Sequence, residues 1–178
     1  MTLQEKYKKI VVPGMQKKFG YKNAMAIPRL TKAVVNSGVG RFKDDKQKEE
    51  VKTQLEKIAG QKFMDRGAKI AIASFKTRLG MTVGYSATLR GKRMCDFFEK
   101  MVTFAIPRMR DFRGLDDSIV DQGGNLTIGF KEHILFPEMV GEDVRNIFGF
   151  QITFVTTAKN REEALEFFRL MGVPFKKQ

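Results

Sequence analysis

Apolar residues recur along this chain with two periods, and the switches between them mark out its elements. Residues 2–19 carry Leu3, Tyr7, Ile10 and Val11 at helical spacing, and Thr2 with Glu5 fits a capping box. Pro13-Gly14 interrupts the pattern and predicts a break or kink. Arg29–Val39 alternates instead: Leu30, Lys32, Val34, Asn36 and Gly38 share one strand face, and Thr31, Ala33, Val35, Ser37 and Val39 the other. Residues 44–59 return to helical spacing, with Val51, Leu55, Ile58 and Ala59 as the buried stripe and Gly60 as the cap.

Beyond Gly60, Met64–Gly67 reads as a turn and Lys69–Ser74 as a mostly apolar strand. A basic, glycine-containing loop follows, then a strand over Thr82–Arg90. Val83, Tyr85, Ala87 and Leu89 take one face of that strand; Thr82, Gly84, Ser86, Thr88 and Arg90 take the other. A helix over 92–106 buries Met94, Phe97, Phe98, Met101, Val102 and Ala105 and stops at Pro107. Phe150–Thr157 alternates again. Asn160 and Glu163 fit a capping box for a last helix, which buries Ala164, Leu165, Phe168 and Met171 and ends at Gly172 and Pro174. Between about 108 and 149, glycines and mixed charges (Arg108, Arg110 and Arg113 beside Asp111, Asp116 and Asp117) separate short apolar pieces. The expected fold class is α+β. A largely antiparallel sheet has one face covered by helices and the other built from Thr, Ser, Asn, Gln and Lys. At 178 residues the chain reads as one domain carrying a loop-rich segment.

Charge changes this picture by giving the chain a direction. Residues 1–93 hold 22 Lys or Arg against 7 Asp or Glu, and residues 94–178 hold 11 against 13, so a net of +15 stands beside a net of −2. From Arg66 to Cys95 there are seven cations and no carboxylate. Such sorting points to one face for a polyanion and another for a different partner. The lysines Lys6, Lys8, Lys9, Lys17 and Lys18 suit a solvated helix face and an RNA brace equally well.

Candidate chemistry is sparse. The single Cys95 leaves no internal disulfide and no multi-cysteine zinc site, and reads as a core thiol. His133 is the only histidine, set in an apolar stretch with a proline, and reads as a packing or turn residue. Asp116, Asp117 and Asp121 lack a nucleophile–base arrangement and suit solvent or pairing with nearby arginines. Gly38-Val39-Gly40 ends a strand before a helix, but the third glycine of a dinucleotide fingerprint is missing. Neither a cofactor nor catalysis is expected. No run of eighteen apolar residues predicts a membrane helix, and the N-terminal MTLQEKYKK lacks a signal peptide's apolar segment, so a cytosolic chain is expected.

The motifs VVNSGVG, GQK, FKTRLG, ATLRG, PRMRDFRG, GGNLTIGFKEHILFPE, TTAKNREEA and GVPF together resemble the bacterial large-subunit ribosomal protein five family, in register along the chain. That resemblance implies a structural protein that binds 5S rRNA and attaches it to the large subunit in the central protuberance, beside 23S rRNA. It implies a 5S rRNA surface at Lys32, Asn36, Gln61, Phe75 and Thr88. A loop over Phe75–Gly84 would face P-site tRNA through Lys76, Arg78, Gly80 and Met81, and the segment after Asp111 would meet a small-subunit head protein. The chain departs from the family pattern at Leu79, Leu126 and His133, where a polar residue, an aromatic and a glutamine are usual. Two other classes remain open on sequence: an RNA-modifying or nucleotide-dependent enzyme, and a protein-interaction module whose basic half only solubilises.

Overall fold

The computed structural model describes residues 2–42, 44–110, 112–141 and 146–176. The first helix is continuous but not uniform: α1 (Leu3–Lys6), a π turn (Tyr7–Val11) and α2 (Val12–Phe19) follow without a break. Pro13 explains the π turn. Its nitrogen has no hydrogen to donate four residues back, and its ring crowds that carbonyl. The wider turn accommodates the missing bond, with the Val12 N–H bonded to the Tyr7 carbonyl five residues back. The extra residue also resets the apolar stripe to Leu3, Tyr7, Val11 and Met15, leaving Ile10 exposed. The expected break at Pro13-Gly14 is therefore a phase shift. The capping box forms, with Glu5 N–H to Thr2 Oγ1 at 3.4 Å and Thr2 N–H to Glu5 Oε2 at 3.2 Å.

The other helices are α3 (Asp45–Ala59), α4 (Gly91–Lys100, running into a π turn over Met101–Ala105) and α5 (Arg161–Met171). Val51, Leu55, Ile58 and Ala59 are buried as the spacing predicts. The second capping box is looser than expected: Asn160 makes no side-chain cap, and Glu163 Oε2 instead accepts from the Lys159 N–H at 3.2 Å.

Five strands, β1 (Leu30–Gly38), β2 (Met64–Gly67), β3 (Thr82–Leu89), β4 (Leu126–Phe130) and β5 (Phe150–Thr156), form an antiparallel sheet in the order β2-β3-β1-β5-β4. Along β1 the expected alternation holds: Ala33, Val35 and Ser37 are buried, while Asn36 and Gly38 are exposed. The strand before the basic loop lies earlier than expected, at Met64–Gly67, and Lys69–Ser74 contains none. β2 is exposed at every position, so no alternation marks it in sequence. The apolar residues that suggested a strand, Ile70 and Ile72, are exposed. β4 also escapes the sequence reading, being only five residues long with Gly129 inside it.

Two compact units divide the chain: Met1–Ala33, Arg90–Ile128 and Thr153–Gln178 in one, Val34–Leu89 and Gly129–Ile152 in the other. In the first, Phe98 of α4 meets Phe154 of β5 edge-on at 5.0 Å and lies 6.5 Å from Phe168 of α5. There, too, Leu115 N–H bonds to Pro174 O, and Lys176 N–H returns to Leu115 O, both at 2.9 Å. In the second, Phe130, Phe136, Phe148 and Phe150 form an aromatic cluster. Residues 146–149 of that unit are held one by one: Asn146 by Glu50 at 3.0 Å, the Ile147 carbonyl by Arg41, the Phe148 N–H by His133 and the Gly149 carbonyl by Ser37 at 2.8 Å.

Candidate nucleic-acid interface

The sheet face turned away from the helices begins on β1. Lys32 and Asn36 lie on the side opposite the buried Ala33, Val35 and Ser37, Lys32 half-buried and Asn36 exposed. On the neighbouring β3, Thr88 is exposed while Tyr85, Ala87 and Leu89 are buried on the other side. Gly60 ends α3 in the left-handed region, at φ 65°, and the turn delivers Gln61 to the same strand. Its amide Nε2 donates to the Thr88 carbonyl at 3.0 Å. Gln61 and Thr88, far apart in sequence, are thus one small polar site.

Gly84 sits where β3 and β1 approach closely: a Cβ there would lie 3.0 Å from the Ser37 carbonyl oxygen. In β2 the two charged residues go to opposite sides of the sheet. Asp65, opposite the core residue Tyr85, is bound by Lys52 of α3 at 2.7 Å. Arg66, opposite Gly84, donates from Nε to Ser86 Oγ at 2.6 Å. Sequence reading missed Arg66 and the Ser86 pairing because it took Met64–Gly67 for a turn; only the strand register brings the two residues together.

The basic loop is an ordered hairpin. Ala68 N–H bonds to Met81 O at 2.8 Å and Gly80 N–H to Ala68 O at 3.0 Å, closing its neck. Nearer the tip, the Ile72 and Thr77 backbones exchange hydrogen bonds at 3.2 Å, around a 3-10 turn over Ala73–Phe75. Lys76 caps that turn in the left-handed region at φ 53°, a costly conformation for a side chain with a Cβ. Lys76, Arg78 and Gly80 are exposed and Met81 half-buried. Phe75 is 75% exposed and Leu79 73%. Thr82–Gly84, the end of the expected loop, belong to β3. The structure therefore groups Asn36, Gln61 and Thr88 on the sheet, and places Phe75 on the loop beside Lys76 and Arg78.

Elsewhere the titratable groups serve packing. His133 is fully buried and stacks on Phe148, ring centroids 4.0 Å apart and 8° from parallel. Burial holds its pKa below the usual histidine value. Burial pushes the Asp121 carboxyl up, but hydrogen bonds from the backbone and side-chain amides of Asn125 and from the Gly123 backbone together outweigh it and hold the pKa below the usual carboxylate value. Asp117 pairs with Arg169 at 3.2 Å and Asp116, still exposed, with Lys176 at 2.7 Å, so these acids find cations late in the chain. Asp111, expected beside them, lies outside the described residues. Cys95 is half-buried, and burial raises its pKa. Among the described residues, no group of three His, Cys, Asp or Glu is placed to hold a metal. Leu126, at a position where the resemblance led us to expect an aromatic, is fully buried.

An α+β sheet protein with a polar outer face and a carboxylate-free basic hairpin belongs to the class of polyanion-binding scaffolds. Family models narrow the class: residues 23–78 match ribosomal protein L5, and residues 82–175 match the C-terminus of the same ribosomal family. Large ribosomal subunit protein uL5 of Fervidobacterium nodosum is 47% identical over 179 residues, covering 100% of this chain and 97% of that protein. The uL5 proteins of Desulforamulus reducens (45% over 176 residues, 98% of this chain, 97% of that protein) and Clostridium perfringens (46% over 174 residues, 97% of each) match similarly. The chain belongs to the ribosomal protein L5 family, whose members are structural constituents of the ribosome and not enzymes.

Proposed function

We propose that this chain, acting over 1–178 as one RNA-binding domain, binds 5S rRNA on the outer face of its sheet and attaches it to the large subunit in the central protuberance, beside 23S rRNA. Lys32, Asn36, Gln61 and Thr88 make the sheet-side contacts. Amide and hydroxyl groups suit 2′-hydroxyls and base edges in an RNA minor groove, and the lysine suits phosphate. Phe75 adds an exposed ring, a surface on which an unstacked base can lie. The hairpin, through Lys76, Arg78, Gly80 and Met81, reaches P-site tRNA. The segment at about 108–149 meets a small-subunit head protein. The protein works in the cytoplasm, on the ribosome.

The observation that carries this reading is the sorting of charge about the sheet: Asp65 is turned toward α3 and tied to Lys52, while the outer face keeps Lys32, Asn36, Arg66 and Thr88. Chemical footprinting of 5S rRNA with and without the full chain tests it. Protection of a continuous stretch of backbone is expected; an unchanged footprint at saturating protein sinks the reading.

A further inference from the structure

We propose that Arg66 is a pre-oriented phosphate-binding residue of the rRNA face, its guanidinium set in position by Ser86; this rests on the reading that the outer face meets rRNA. An arginine on an exposed edge strand ordinarily samples many rotamers. Here three features restrict it. Its cross-strand partner is Gly84, so no side chain stands directly opposite. The diagonal neighbour Ser86, only 8% exposed, accepts from Nε at 2.6 Å. The pairing with β3 is irregular between Arg66 and Gly67, and a bulge of this kind re-aims the side chain beside it.

With Nε engaged, the remaining donors sit on the two terminal nitrogens, which form a planar fork matched to two oxygens of one phosphate. Part of the ordering cost is thereby met before RNA arrives. The neighbouring Asp65 does not neutralise the fork, because the pleat puts it on the other side with Lys52. A phosphodiester fits better than a protein carboxylate. The cations from Arg66 to Cys95 are unbroken by any acid, and the surrounding face carries amide and hydroxyl groups in place of apolar anchors.

The test measures 5S rRNA affinity of the full chain across a salt series. Arg66→Ala should weaken binding about tenfold and make the log–log salt slope shallower by about one. Arg66→Lys should keep the wild-type slope, since the charge stays, yet recover only part of the affinity. Ser86→Ala should weaken binding a few-fold with the slope unchanged. Asn36→Ala serves as the control for the face itself. If Asn36→Ala weakens binding while Arg66→Ala matches wild type in affinity and slope, the face reading stands and the Arg66 inference falls. Weaker Arg66→Ala binding with an unaltered slope also overturns it, by removing phosphate as the partner. If neither variant differs from wild type, the face reading fails and takes the inference with it.

Discussion

At His133 a single hydrogen bond fixes a protonation state. Nδ1 accepts from the Phe148 N–H at 3.4 Å, so it carries no proton, and Nε2 is buried without a partner. Protonation would turn that acceptor into a donor facing another donor, inside a fully buried stack. Burial disfavours the charged ring and holds the folded pKa below the value near 6.5 expected when unfolded. Between those two values the unfolded chain binds the extra proton, so this contribution to stability is complete above about pH 6.5 and declines as pH falls toward the folded pKa. Urea unfolding from pH 7.5 to 5 should show wild type losing stability faster than His133→Gln; parallel curves would refute the account. On the outer face, Asn36→Ala and Thr88→Ala should each weaken 5S rRNA binding by about 1–3 kcal/mol, read by titration, if each leaves an RNA polar group unpaired. Such residues were legible in sequence because strand alternation separates them from the core. The Arg66–Ser86 bond was not, because it depends on a cross-strand register that no local pattern encodes.

Elements were legible where burial imposes a period. α3 buries one face, so its residue types repeat as its geometry repeats, whereas β1 carries apolar residues on both faces and fits less neatly. β2 buries neither face, and its sequence carries no such imprint. The helix from Leu3 to Phe19 shows a subtler loss: a π turn ahead of Pro13 moves the stripe from Ile10 to Met15, a change that an ideal helical wheel cannot follow. The basic hairpin is closed at its neck by main-chain bonds independent of its cations, so its charges can be removed without unfolding it. Lys76→Ala with Arg78→Ala should leave 5S rRNA affinity within about twofold of wild type while weakening protection of P-site tRNA in assembled ribosomes. Equal loss of 5S rRNA by the loop and sheet variants would show that sheet and hairpin do not divide the two RNAs.

For the molecule as a whole, a net of +15 over residues 1–93 stands against −2 over residues 94–178. RNA binding through the basic part should fall steeply with added salt, with a log–log slope of about −0.7 to −0.9 for each phosphate neutralised, whereas a flat response would remove phosphate contacts from the account. The acids of the later part are partly satisfied at home, Asp116 by Lys176 and Asp117 by Arg169. The bonds joining Leu115 to Pro174 and Lys176 bear on the order of events during synthesis. One compact unit gathers residues from three separated stretches of chain, so a nascent polypeptide stalled before residue 161 holds its first helix, α4 and β5 but lacks α5, against which the first helix and Phe98 of α4 pack. Until that late stretch emerges, Phe98 lacks Phe168, and Tyr7 of the early helix lacks Phe167. An abandoned translation product of this protein would thus leave apolar rings of that unit uncovered and be a ready target for proteolysis.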